Sequence, residues 1–249
     1  EKAGKTWQAV LAKGENLRWN VLEKFGPSTN AARVNFRLTG PVLSRILHAR
    51  IPALVAVQAL AGVVLLGICI WLASRVSGSK AAGLITGIGV GTTWAGVTSF
   101  CELRGVFDGI ALCLMMGAMA SRSFAVAAAC LFIACWTDER ALVSFPLLLV
   151  CSWAFHRTVP EYGGGGGAGI NGPIGGMIFG VLAHVFSRLV YASWAGVPHR
   201  FDGNGLEVLV NQINNIPMGV WSGLEGGWLV AIGATIVAWG RGERLWSLL

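Results

Sequence analysis

Residues Ile51 to Ser74 form an almost uninterrupted apolar run flanked by Arg50 and Arg75. An apolar stretch of about 20 residues or more is what a helix needs to cross a hydrocarbon core. Further apolar runs follow: Ala81–Phe100, Gly105–Ala120, Ser123–Trp136, Ala141–Phe155, Ile174–Gly196 and Met218–Gly240. Only helices and closed barrels satisfy their backbone in lipid, and runs this long and continuously apolar select helices. With 54% apolar and 12% charged residues, the chain falls far from the roughly 25% charged residues of soluble domains. The expected fold is an all-α integral membrane protein, a bundle of about seven transmembrane or partly re-entrant helices. The expected location is multi-pass in a membrane.

Two interfacial amphipathic helices accompany the bundle. In the first, Trp7, Val10, Leu11, Leu17, Val21, Leu22 and Phe25 recur at helical spacing, with Lys13, Glu15, Arg18 and Glu23 on the other side. In the second, Leu206, Leu209, Val210, Ile213 and Ile216 form a stripe that Pro217 ends. The organisation is therefore a basic amphipathic segment over 1–50, a five-segment membrane bundle over 51–155, a Gly-rich connector over 156–173, and two further spans over 174–249. Gly163 to Gly167 mark the connector as flexible. Beginning at Glu1 and ending just after an apolar run, the sequence reads as an excerpt of a longer chain.

The net charge of +7 is not gathered into a patch with interleaved aromatics, so no nucleic acid is expected as partner. The expected partners are the lipid bilayer, an anionic lipid-linked substrate, and other membrane subunits through the Gly83/Gly87/Gly91 face, whose GxxxG spacing lets a second helix approach closely. Six cysteines lie mostly inside apolar runs, with no CxxC pair and no His at zinc spacing, and read as small buried hydrophobes. Eleven tryptophans fall largely near span ends, as an interfacial aromatic belt requires.

Counted by parity, the loops after the first, third and fifth spans and the C-terminal stub carry six basic residues against two acidic. The loops after the second, fourth and sixth carry three against six, so the first set is assigned to the cytoplasm. That assignment puts the basic first fifty residues outside, against the same rule.

Charges beside a membrane interior are costly and mark functional candidates. Glu102, Arg104, Asp108, Asp138, Glu139 and Arg140 share one face on this parity. A carboxylate beside a guanidinium there can act as general base or hold a divalent ion, while Arg steadies a phosphate, or the same charges can serve as ion pairs capping short helices. His184 and Arg188 lie one helical turn apart, with Glu225 the expected intramembrane partner of Arg188. The alternatives for that group are a structural ion pair, a proton relay, or His184 as axial ligand to a tetrapyrrole. No protein ligand set for a metal is assigned.

Asn35-Phe36-Arg37-Leu38-Thr39-Gly40-Pro41-Val42-Leu43 before a span, Phe107-Asp108-Gly109 opening a short helix, and Thr137-Asp138-Glu139-Arg140-Ala141-Leu142 before a run containing Pro146 resemble uncharacterised bacterial multi-span proteins. Those are similar in layout to the C-type membrane glycosyltransferases, which take sugar from a lipid-linked donor at the extracytoplasmic face. The resemblance covers roughly residues 33 to 155. It implies Asp108, Asp138 and Glu139 as catalytic acids and Arg37 and Arg140 as phosphate contacts, with Glu102 and Arg104 beside them. The acidic pair that the family usually carries in its first external loop has no counterpart among Glu1, Glu15 and Glu23. The functional expectation is a glycosyltransferase-like enzyme, with a non-catalytic subunit of a larger membrane complex and a transporter as alternatives.

Overall fold

The computed structural model describes residues 2–24, 32–48, 50–101, 107–159 and 171–196. Among the described residues every regular element is helical: α1 (Lys2–Glu15), α2 (Thr39–Ile46), α3 (Ile51–Ser77), α4 (Lys80–Thr92), α5 (Trp94–Cys101), α6 (Asp108–Ala120), α7 (Phe124–Thr137), α8 (Arg140–Thr158) and α9 (Asn171–Ala195), with short 3-10 turns at Val21–Glu23 and Ala32–Asn35. Among the described residues, those within Glu1–Ile68 and Thr98–His199 form one compact unit, and Cys69–Val97 belongs to a second.

Two helices are long and apolar enough to cross a membrane, Ile51–Ser77 and Gly172–Ala195. Only 28% and 33% of their apolar windows are buried, so neither is the enclosed core helix of a water-soluble fold. Leu60, Val63 and Val64 on α3, and Phe179, Leu182 and Phe186 on α9, face outward, a surface that fits a bilayer. These helices support a membrane location. Helices α6 and α7 are apolar but shorter, 13 and 14 residues, or about 20 Å each.

In the first unit α7 packs between α6 and α9, α8 packs against α6, and α1 packs against α2. Small residues let two helix backbones fit closely. That fit is visible at Gly176 and Gly180 of α9, where a Cβ would collide with the carbonyls of Phe124 and Ala128 on α7. Leu131, Cys135, Met177 and Val181 fill the same interface. A second core gathers Trp7 and Val10 of α1, Leu54 of α3, and Phe107 and Ile110, with Trp7 and Phe107 edge to face at 5.7 Å.

The α6–α7 turn is short because Ser123 caps α7, its hydroxyl accepting from the Val126 amide at 3.5 Å. At this end the His156 Nε2 lies 3.1 Å from the Ser121 carbonyl, which places the end of α8 beside the α6–α7 turn. Arg122 and Arg157 therefore lie at one end of the bundle, and Asp108, Asp138 and Arg140 at the other.

In the second unit, Gly83 and Gly87 of α4 meet Ile70 and Ser74 of α3 so closely that a Cβ would collide. The close approach expected at this small-residue face is thus made within the chain.

Two sequence expectations differ from the structure. The single span over Ala81–Phe100 divides at Thr93, which is extended at φ −72° and ψ 157°. The Thr93 hydroxyl accepts from the Gly96 amide at 3.1 Å, a local bond that competes with helix continuation and starts α5. The first amphipathic helix was expected to run on to Phe25, but α1 ends at Glu15, and Lys13 lies inside, at 0% exposure. The glycine run, the second amphipathic stripe and the Met218–Gly240 span lie outside the described residues.

Candidate functional site

The segment ahead of α2, the entry to α6 and the α7–α8 turn meet at one end of the first unit. Asp138 sits at the turn, its side chain 5% exposed. Its Oδ1 accepts the Arg140 backbone amide at 3.1 Å, the short side-chain-to-backbone turn that aspartate favours before a helix. The same oxygen accepts from Arg37 Nη2 at 2.9 Å, and Oδ2 accepts from Arg140 Nε at 2.7 Å. Burial works against ionisation of Asp138, but the Arg140 hydrogen bond and the charges of Arg37 and Arg140 outweigh it and hold the carboxyl below its usual range.

Arg140 also reaches Asp108 of α6, Nη2 to Oδ1 at 2.6 Å, so one guanidinium bridges two carboxylates. Burial disfavours its charge, yet the hydrogen bonds to Asp138 and Asp108 outweigh this and hold the proton more firmly than usual. Its side chain is 64% exposed, against 15% for Asp108. Asp108 is aimed by an unusual backbone: Phe107 has φ 55°, a left-handed conformation that a bulky residue adopts only where its surroundings enforce it. The enforcement comes from Trp7 and from Gly40, where any Cβ would collide with the Phe107 ring.

Thr39 joins the cluster, its hydroxyl 2.8 Å from that of Thr137, which is itself 2.8 Å from the Ile133 carbonyl. Glu139 pairs with Arg188 of α9 at 3.2 Å, and the Arg188 guanidinium lies over the Phe36 ring, 4.4 Å from its centroid. The intramembrane partner expected for Arg188 was Glu225, which lies outside the described residues, as do Glu102 and Arg104. His184 is 1% exposed and packs edge to face on Trp136 at 4.9 Å. Both its ring nitrogens lack a hydrogen-bond partner among the described residues.

The cluster thus brings together Arg37, Asp108, Asp138, Glu139, Arg140 and Arg188, three positive and three negative side chains. Among the described residues no group of three or more His, Cys, Asp or Glu side chains could hold a metal ion. What the arrangement offers chemically is a carboxylate, Asp108, held by one exposed arginine, beside a second carboxylate anchored by two.

A buried support below the site was not evident in the sequence. Asn35 Oδ1 accepts the Val21 amide at 2.9 Å, and Asn35 Nδ2 donates to Asn20 Oδ1 at 2.9 Å. Lys13 Nζ donates to the Trp19 carbonyl and lies 3.4 Å from Asn35 Oδ1, and burial pushes this lysine down to about 8. The Tyr191 hydroxyl donates to the Leu17 carbonyl at 2.7 Å. One sequence signal for this support was Asn35 itself, a polar residue within the quoted motif.

No protein-family model, curated protein or solved structure matches the chain.

Proposed function

We propose that this chain is a multi-pass membrane glycosyltransferase that takes a sugar from a lipid-linked donor at the extracytoplasmic face of a bacterial inner membrane. The observation that carries this reading is the convergence of three separate segments, 35–41, 107–109 and 137–142, on one charge cluster. Arg122 and Arg157 at the opposite end of the same helices support placing that other end in the cytoplasm.

In this reading the acceptor hydroxyl oxygen attacks the anomeric carbon and its proton passes to the Asp108 carboxylate. A carbon–oxygen bond forms to the acceptor, the bond from the anomeric carbon to the phosphate oxygen breaks, and the lipid phosphate leaves with the electron pair. Arg140 meets the phosphate, since it is the exposed arginine of the cluster and a guanidinium matches phosphate geometry. Asp138, buried and anchored, positions Arg140.

A second reading, a non-catalytic subunit of a membrane complex, is favoured by the balance of three arginines against three carboxylates, as structural ion pairs require. The test is turnover of polyprenyl-phosphate-linked hexoses and pentoses by the full chain in bilayer nanodiscs, followed as released polyprenyl phosphate. The transferase reading expects turnover that Asp108→Asn lowers at least about 100-fold. Turnover unaffected by Asp108→Asn, or absent with every donor, removes it in favour of the subunit reading.

A further inference from the structure

The two aspartates of the cluster are held unequally. Asp138 has Arg37, Arg140 and the Arg140 backbone amide. Asp108 has one ion-pair partner among the described residues, Arg140. The shared partner is the exposed one, a long side chain at the first position of α8 and 64% exposed. Among the described residues, the other charged groups facing Asp108 are Asp138, from the same turn as Arg140, and Arg37, from the segment before α2.

From this asymmetry we propose that Arg140 is an exchangeable cap on Asp108: a phosphate group entering the site draws the guanidinium away, and Asp108 is uncovered only when phosphate is bound. Phosphate offers Arg a bidentate, charge-assisted partner at least as strong as a carboxylate. Asp138 tolerates the loss because Arg37 and the backbone amide remain. Asp108 does not, since a carboxyl 15% exposed and stripped of its counter-ion takes up protons more readily. The proposal deepens the transferase reading and rests on it. It would couple donor binding to release of the proton acceptor, so that Asp108 stays covered while the site is empty.

The experiment is an infrared titration of the full chain in nanodiscs, reading the protonated-carboxyl band that disappears in Asp108→Asn. It is run without ligand, with farnesyl phosphate, and with inorganic phosphate. Expected is an upward shift of the protonation midpoint by about one pH unit or more on adding farnesyl phosphate. Arg140→Gln carries the raised midpoint already and does not respond. Arg140→Lys, which keeps a charge but not the fork, responds weakly. If Arg140→Gln does not fold, the wild-type titration alone decides. A shift with inorganic phosphate as well supports the exchange and identifies a phosphate site that needs no lipid, whereas a shift with farnesyl phosphate alone identifies a lipid headgroup site. An unchanged midpoint, whether farnesyl phosphate binds or not, overturns the proposal. An unchanged midpoint in a chain that transfers sugar removes the exchange alone, and a shifted midpoint in a chain that transfers none removes the transferase reading alone.

Discussion

Arg37 and Asp138 stand 101 positions apart and meet at 2.9 Å with side chains 11% and 5% exposed. This pair ties the segment before α2 to the α7–α8 turn. Both charges are desolvated, so neither tolerates loss of the other.

Arg37→Met is therefore expected to destabilise the chain by on the order of 3 kcal/mol, the lower end for breaking a buried pair, since Arg140 still holds Asp138. Adding Asp138→Asn to Arg37→Met recovers part of that loss. Thermal unfolding of the purified chain in detergent, compared across the single and double variants, checks both.

The Asp138 carboxyl is held below its usual range by the Arg140 hydrogen bond and the two arginine charges against the cost of burial. A depressed folded-state value stabilises fully above the unfolded value near 4 and is lost as pH falls through the folded one. Stability of the wild-type chain should fall below about pH 4, and the fall should be shallower in Asp138→Asn. A series of melting temperatures from pH 6 downward measures it.

Lys13 has linkage of the same sign in a higher pH window. Its value is lowered by burial from 10.5 to about 8, so the unfolded chain binds the extra proton between those limits and stability rises with pH across that window. Carrying the charge at pH 7 costs up to about 3 kcal/mol by the size of the shift. Lys13→Met should abolish the rise between pH 8 and 10, read as melting temperature against pH.

Gly180 and Gly67 make a paired test of helix packing. Gly180 meets the Ala128 carbonyl of α7, whereas nothing lies within 4 Å of a Cβ on Gly67. Gly180→Leu should abolish a monodisperse peak in size-exclusion chromatography. Gly67→Ala should leave it intact and add up to about 1 kcal/mol through helix propensity.

Apolar runs made α3, α6, α7, α8 and α9 legible to within a few residues, because a long, continuously apolar run leaves a helix as the element that satisfies its own backbone. The break at Thr93 was not legible, since it depends on one hydroxyl choosing the Gly96 amide. Lys13 read as part of a solvated face because helical periodicity does not reveal that Asn35 and the Trp19 carbonyl wait for its ammonium group. Within the site, the Asp138–Arg140 pair follows from adjacency. The Arg37–Asp138 and Glu139–Arg188 pairs do not, because contacts across 101 and 49 positions leave no periodic trace. The meeting of segments 35–41, 107–109 and 137–142 came from the fold.

Convergence of those segments is tested most directly at Thr39 and Thr137, whose hydroxyls lie 2.8 Å apart. In a chain with all six native cysteines replaced by serine, Thr39→Cys and Thr137→Cys are oxidised in intact membranes and the peptides analysed by mass spectrometry. A 39–137 disulfide should form rapidly, while Thr39→Cys paired with Ser121→Cys at the far end of the bundle should give none. A failure to link 39 with 137, or an equally rapid 39–121 link, contradicts the site.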